Sequence, residues 1–177
     1  VPDCRLMMQA IHTLLCDNGI AFIEVPDTGY LLDKTFCHEI WDEHINYFTL
    51  TTLQELAEQV GFEVLRAEAW PFRETSNLIM FARKKQLGEH ARPHKGKDLV
   101  KIRGLQSAWD ALAASWRAEI EGARGPVVAM GASHIQMNFL NFSELAPYVD
   151  FLVDDDPAKS GKFAQFGNGV PILSTTQ

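Results

Sequence analysis

The apolar residues of the first half of the chain switch between helical and strand spacing. Over 4–16 they recur every three or four positions, which predicts a helix. The short, nearly continuous apolar run over 20–25 predicts a strand that helices bury on both faces. A second helix is expected from Thr51-Thr52 through Val60, with Glu55 completing a capping box from Thr52. Two more strands are predicted, at 62–67 and at 78–82.

The second half begins with a polar segment, 86–97, whose Gly and Pro predict a linker between domain 1–85 and domain 98–177. Helical spacing over 98–122 predicts one long helix. Its stripe includes Trp109 and Trp116, which we interpret as packing residues rather than a ligand platform. The remaining pattern predicts a strand at 127–130, a Gly turn at 131–133 and a helix that runs up to 145. A strand with an acidic end is expected at 149–153, and a short third strand at 171–173.

The connection over 27–50 is long and carries the chemically richest segment, Asp42-Glu43-His44-Ile45-Asn46-Tyr47-Phe48-Thr49. Long connections that hold aromatic residues are usually functional rather than disordered. Histidine titrates near neutrality, and a neighbouring carboxylate can orient it as a general base. The alternative is a surface loop whose His44 and Glu43 only cap the next helix.

Composition excludes several classes of function. The net charge of −7 gives no general attraction to nucleic acid or anionic lipid. We find no apolar run long enough to span a bilayer. Three widely spaced cysteines without a CxxC pair argue against a disulfide framework and favour a cytoplasmic location. The chain opens with Val1-Pro2-Asp3 instead of Met and is interpreted as a piece of something longer.

Two further motifs allow a site in the second half. Gly131, Ala132 and Ser133 follow a predicted strand, where backbone amides could bind an anion, although a full dinucleotide fingerprint needs more glycines. Asp154 stands where a ribose-binding acid would stand, or is simply a solvated strand end. The His and acidic residues over 38–44 fit no helical zinc template, so no metal site is expected.

Several of these segments together resemble a known family. The helix, Asn18-Gly19 and the strand to Glu24-Val25-Pro26 resemble the last third of a class I S-adenosylmethionine (SAM) methyltransferase. Glu43-His44 with Tyr47 resembles the Glu-His-x-x-Tyr motif of the sugar C-methyltransferases. The end of the chain resembles the C-terminal Rossmann-like domain of these enzymes. The matching motifs are Gly131-Ala132, Leu140-Asn141, the stretch from Asp154 to Gly161, and Val170-Pro171-Ile172.

The resemblance implies an α/β fold, with a partial class I methyltransferase sheet followed by a long helix and a Rossmann-like βαβ domain. It implies SAM as the cofactor, with its main binding elements upstream of this chain, so that the chain alone is expected to be inactive. In the implied reaction, His44 takes a proton next to a ketone and Glu43 orients it. Tyr47 or Asn46 hydrogen-bonds the developing enolate oxygen, and the enolate attacks the methyl group through its carbon.

The implied substrate is a nucleotide-linked keto-sugar. Its nucleotide end is expected at Gly131, Ala132, Ser133 and Asp154, and its sugar near Trp41 and Asn46. The implied partners are the missing N-terminal part of the protein and a second copy of it. The chain departs from the family pattern at Trp41, Asp42, Ile135 and the segment Glu74-Thr75-Ser76, which leaves the substrate open. Two alternatives stay open: an O-methyltransferase acting on a sugar or polyketide, and a non-catalytic nucleotide-binding or assembly module.

Overall fold

The computed structural model of the 177-residue chain describes residues 1–36, 40, 44–72, 75–85, 99–166 and 169–176. The fold is mixed α/β. The chain divides into two compact units. Unit 1 consists of Val1–Lys34 and Asp42–Arg103, and unit 2 consists of Thr35–Trp41 and Gly104–Gln177.

Unit 1 contains a three-stranded antiparallel sheet in the order β1, β3, β2. Three helices accompany it before the long helix α4 begins. The elements in chain order are α1 (Cys4–Leu14), β1 (Ile20–Pro26), α2 (Thr28–Lys34), α3 (Leu50–Val60), β2 (Phe62–Phe72) and β3 (Thr75–Lys84). Both strands expected after α3 are therefore present, and each is longer than its apolar run.

One face of the sheet forms the core of unit 1. The inward residues of β1 and β3 alternate with outward ones and pack with the apolar sides of α1 and α3. The fully buried members of this core are Leu53, Ala57, Phe62, Leu78, Met80 and Ala82.

The other face of the sheet corrects the expectation for β1. Ile20 and Phe22 are 53% and 57% exposed, so the strand is not buried on both faces in the part of the chain that the structure describes. Phe22 lies opposite Phe81 of β3, and their ring centroids are 5.2 Å apart. A continuous apolar run does not tell how many faces are covered, because covering depends on which elements pack there.

The start of α3 also differs from the prediction. The N-cap is Thr49, whose hydroxyl accepts the Thr52 N–H at 3.3 Å, and the Thr52 hydroxyl accepts the Thr49 N–H at 2.9 Å. The reciprocal cap was expected between Thr52 and Glu55. The Thr52 hydroxyl takes the role that Glu usually has, which moves the helix start toward the His44 segment.

The connection after β1 contains a helix that periodicity missed. α2 has seven residues and one buried apolar side chain, Leu31, too few to show a pattern. Thr28–Lys34 is therefore helical where a loop was expected.

Unit 2 contains a four-stranded sheet in the order β4, β5, β7, β6. β4, β5 and β7 are parallel, whereas the short β6, which was not predicted, pairs antiparallel with β7. The long helix α4 (Leu99–Glu121) begins in unit 1 and belongs to unit 2 from Gly104 onward. The other elements of unit 2 are β4 (Val128–Met130), α5 (His134–Phe142), a 3₁₀ turn (Ala146–Tyr148), β5 (Phe151–Asp154), β6 (Phe163–Ala164) and β7 (Val170–Ser174).

Aromatic packing in unit 2 centres on Trp109 of α4, which is 3% exposed. Its indole N–H donates to the Phe142 carbonyl at 2.7 Å. Its ring meets Trp116 and Phe139 edge to face, at centroid distances of 5.8 Å and 6.2 Å. Trp116 is half-buried. Trp109 is thus a packing residue, as its helical spacing predicted.

Within the described ranges, no helix is both long enough and apolar enough to cross a bilayer.

Candidate active site

The His44 segment is held against the end of β1 by backbone contacts. Phe48 forms a parallel bridge with Asp27, and the Phe48 carbonyl accepts the Thr28 N–H at 2.9 Å. The next residue, Thr49, is buried and caps α3. The end of the loop is therefore held at Phe48 and Thr49, four and five residues after His44.

A cavity of about 360 Å³ lies within unit 1 beside this loop. Its wall is mostly apolar, and its polar lining residues include Glu24, His44 and Asn46. The apolar lining comes from α1, β1, the loop and α3, and includes Met7, Ile11, Val25, Phe48, Leu53 and Leu56. A few polar groups in a concave apolar surface are typical of sites that bind small molecules.

The structure separates the candidate catalytic residues into two sets. His44, which is half-buried, and Asn46 line the cavity, and the Asn46 Nδ2 donates to the Val1 carbonyl at 2.5 Å. Tyr47 is 39% exposed and is not a lining residue, although its ring centroid is 6.4 Å from that of His44. Glu43 and Trp41 lie outside the described residues, so their roles stay predictions.

Glu24 was not singled out from the sequence. It interrupts the apolar residues of β1, and an acid within such a run is the signal that could have found it. Its Oε1 accepts the Asn77 Nδ2–H at 2.7 Å across the β1–β3 pair, and its side chain is exposed on the face of β1 that carries Ile20 and Phe22. Among the described residues, no cluster of three or more His, Cys, Asp or Glu side chains is arranged to hold a metal ion.

In unit 2 the four residues predicted to bind the nucleotide meet at the carboxyl ends of β4 and β5. Gly131 has φ of +90°, which glycine adopts without strain, and donates its N–H to the Val153 carbonyl at 2.7 Å. Ser133 caps α5 by accepting the Gln136 N–H at 3.2 Å. Ala132 donates its N–H to Asp154 Oδ2 at 2.6 Å. This brings the turn and the acid together.

The Asp154 carboxylate is strongly engaged within the protein. Oδ1 accepts the Asp156 N–H at 2.9 Å, and Oδ2 also accepts a Lys159 Nζ–H at 3.0 Å. The Ala132 amide, then the Asp156 amide and then Lys159 stabilise the charged form and lower the pKa of Asp154 from 3.8 to about 2. A ribose hydroxyl would have to share these oxygens. Holding the Gly131 turn is therefore a role that Asp154 already has.

This pKa predicts an acid-dependent loss of stability in unit 2. A carboxyl group whose pKa is lower in the folded than in the unfolded state stabilises the fold above the unfolded pKa, near 4. That stabilisation is lost as the pH falls from about 4 to about 2. We expect Asp154→Asn to lower Tm at pH 6 and the difference from the wild type to shrink toward pH 2.

Thermal unfolding measured at intervals between pH 6 and pH 2 tests this expectation. Asp155→Asn is the matched control, because it changes the neighbouring, exposed carboxylate. A Tm difference for Asp154→Asn that stays constant across this range contradicts the role of the carboxylate charge.

Comparison with known proteins finds two similarities. Residues 1–67 match the family described as a methyltransferase domain. A stretch of 103 residues is 28% identical to the C-methyltransferase NovU of Streptomyces niveus, and it covers 58% of this chain and 24% of that protein. The chain thus spans about a quarter of the length of this curated relative. Both similarities are to methyltransferases.

Proposed function

We propose that this chain is the C-terminal portion of a SAM-dependent C-methyltransferase that acts on a nucleotide-linked keto-sugar or a related ketone. The observation that carries the proposal is the placement of His44 and Asn46 in the wall of one largely apolar cavity, on a loop fixed to the end of β1. The similarity of residues 1–67 to methyltransferase domains supports the same chemistry.

The proposed reaction begins with proton transfer to His44. The imidazole takes the proton from the carbon next to the ketone, and the electron pair of that C–H bond forms an enolate. Asn46 has a second amide hydrogen besides the one donated to Val1, and it is our candidate donor to the enolate oxygen. Such a donor typically contributes about 3 kcal/mol to transition-state stabilisation. Tyr47 is the second candidate donor to the enolate oxygen.

The enolate carbon would then take up a methyl group, and the electron pair of the broken methyl–sulfur bond would stay with sulfur. SAM supplies this methyl group beside a positively charged sulfur atom. The proposal assigns the main SAM-binding elements to a part of the protein before Val1. It assigns to Glu43 the role of orienting His44. In unit 2, the Gly131–Ser133 turn and Asp154 are the proposed contacts of a nucleotide.

The test uses the full-length protein, a nucleotide-linked keto-sugar and SAM carrying a ¹³C-labelled methyl group. We expect product NMR to find the label bonded to a ring carbon, because an enolate presents carbon as its nucleophile. A label on oxygen would instead identify an O-methyltransferase. Binding of the nucleotide-sugar without consumption of SAM would identify a binding module. The 177-residue chain alone is the negative control, and micromolar SAM binding by it in calorimetry would contradict the proposed placement of the SAM site.

A further inference from the structure

Asp27 connects three segments of unit 1 that are distant in sequence. Its Oδ2 accepts the Ser76 hydroxyl at 3.0 Å, and its Oδ1 accepts the Gly29 N–H at 2.8 Å. Its own N–H donates to the Ser76 carbonyl at 2.9 Å. Ser76 is 6% exposed and Asp27 is half-buried, and their contact joins the end of β1 to the start of β3.

The Asp27 carboxylate lies close to Gly29 and occupies the space that a side chain at position 29 would need. A Cβ at Gly29 would lie 2.9 Å from Asp27 Oδ1, closer than a carbon and an oxygen normally approach. Any larger residue at position 29 therefore has to displace the carboxylate. The glycine lets the N–H of α2 reach Oδ1 and completes a close-fitting contact.

The same part of the backbone holds the His44 loop. The bridge between Asp27 and Phe48, and the bond from the Thr28 N–H to the Phe48 carbonyl, lie directly beside the Asp27 side chain. Phe48, His44 and Asn46 all line the cavity. The orientation of Asp27 and Thr28 therefore sets where the loop ends.

We infer that Asp27 is a positioning residue for His44. Through Ser76 and Gly29 it fixes the backbone at 27–28, which in turn fixes Phe48 and the loop that carries His44. The kinetic part of this inference rests on the proposed function, whereas the anchoring part does not. A misplacement of about 1 Å in a reacting group can reduce catalysis by roughly a hundredfold, so a loose loop has a large effect on rate.

The side-chain chemistry provides two contrasting variants. Asp27→Ala removes both side-chain bonds. Asp27→Asn can keep both, because its oxygen can accept the Gly29 N–H while its amide donates to the Ser76 hydroxyl, which also accepts. A positioning role therefore predicts a loss in Asp27→Ala and recovery in Asp27→Asn. Asp156→Ala is the matched control, since Asp156 Oδ1 accepts the Ala158 N–H at 2.9 Å in the same local turn within unit 2.

The experiment first measures amide hydrogen exchange in the 177-residue chain by NMR. We expect the Thr28 amide to exchange at least roughly tenfold faster in Asp27→Ala, relative to the Ala57 amide in the core of α3. Ser76→Ala should produce a smaller change in the same ratio, and Asp27→Asn and Asp156→Ala little change. If Thr28 and Ala57 change together in every variant, or if the ratio does not change, the anchoring role is overturned.

The second measurement is kcat in the full-length enzyme. We expect Asp27→Ala to lower kcat roughly 10- to 100-fold with KM for SAM little changed, and Asp27→Asn to restore most of the rate. A selective rise in Thr28 exchange with unchanged kcat would overturn the positioning of His44 by Asp27. If wild-type protein transfers no methyl group, the proposed function fails, while the exchange ratio still decides whether Asp27 anchors the loop.

Discussion

In the full-length enzyme, His44→Ala is expected to lower kcat for methyl transfer by roughly two or more powers of ten. The proposed role of His44 is proton transfer, so SAM affinity should be little changed. His44→Asn should be similarly impaired, because its carboxamide cannot take a proton near neutral pH. Glu43→Gln should cost less, since it keeps the imidazole and loses only charge and orientation.

Exchange of the substrate's α-proton with solvent, followed by NMR without SAM, isolates the step assigned to His44. His12→Gln is the matched control, because His12 is also in unit 1 but packs edge to face on Phe62 at 5.1 Å and is not a lining residue of the cavity. We expect that variant to exchange the proton at the wild-type rate. A folded His44→Ala enzyme that does the same would show that His44 is not the base.

Trp109→Ala is expected to destabilise unit 2 by about 3–5 kcal/mol, the usual cost of removing a large buried aromatic side chain. Three losses combine in this variant. The buried indole surface disappears, the edge-to-face contacts with Trp116 and Phe139 are broken, and the Phe142 carbonyl loses its donor. Trp109→Phe keeps much of the ring and should cost less, mainly the hydrogen bond of about 1 kcal/mol and part of the packing.

Urea unfolding followed through NMR signals of unit 2 gives the free energy of unfolding. Trp70→Ala is the control, because Trp70 is 54% exposed and its removal should change stability by less than about 0.5 kcal/mol. Equal effects of Trp109→Ala and Trp70→Ala would mean that burial of Trp109 does not decide the stability of unit 2.

Elements with a strong local pattern could be predicted from the sequence. The spacing of Trp109 and Trp116 predicted α4, and the apolar run over 20–25 predicted β1. The same run gave the wrong burial for Ile20 and Phe22, because strand type is a local property and coverage of a face is not. α2 was missed because seven residues with one buried side chain give too short a pattern.

In the candidate site, too, the sequence predicted residues but not the contacts between distant segments. His44 and Asn46 were selected by residue type within one loop, and both line the cavity. The contact between Asp27 and Ser76 joins positions 49 residues apart, and no pattern within one segment reports such a pair. The motif that singled out Asp154 gave its location, but the three hydrogen bonds that occupy its oxygens depend on how the turn and the strand meet.

The apolar outer face formed by Ile20, Phe22 and Phe81 also affects how the chain behaves in concentrated solution. Adjacent exposed rings on a sheet favour association between copies, which the net charge of −7 opposes at neutral pH. The net charge reaches zero near the sequence pI of about 5.3, so this repulsion is lost well above the pKa of Asp154. Low protein concentration is therefore needed between pH 6 and pH 4, where colloidal aggregation of folded chains would otherwise precede any unfolding.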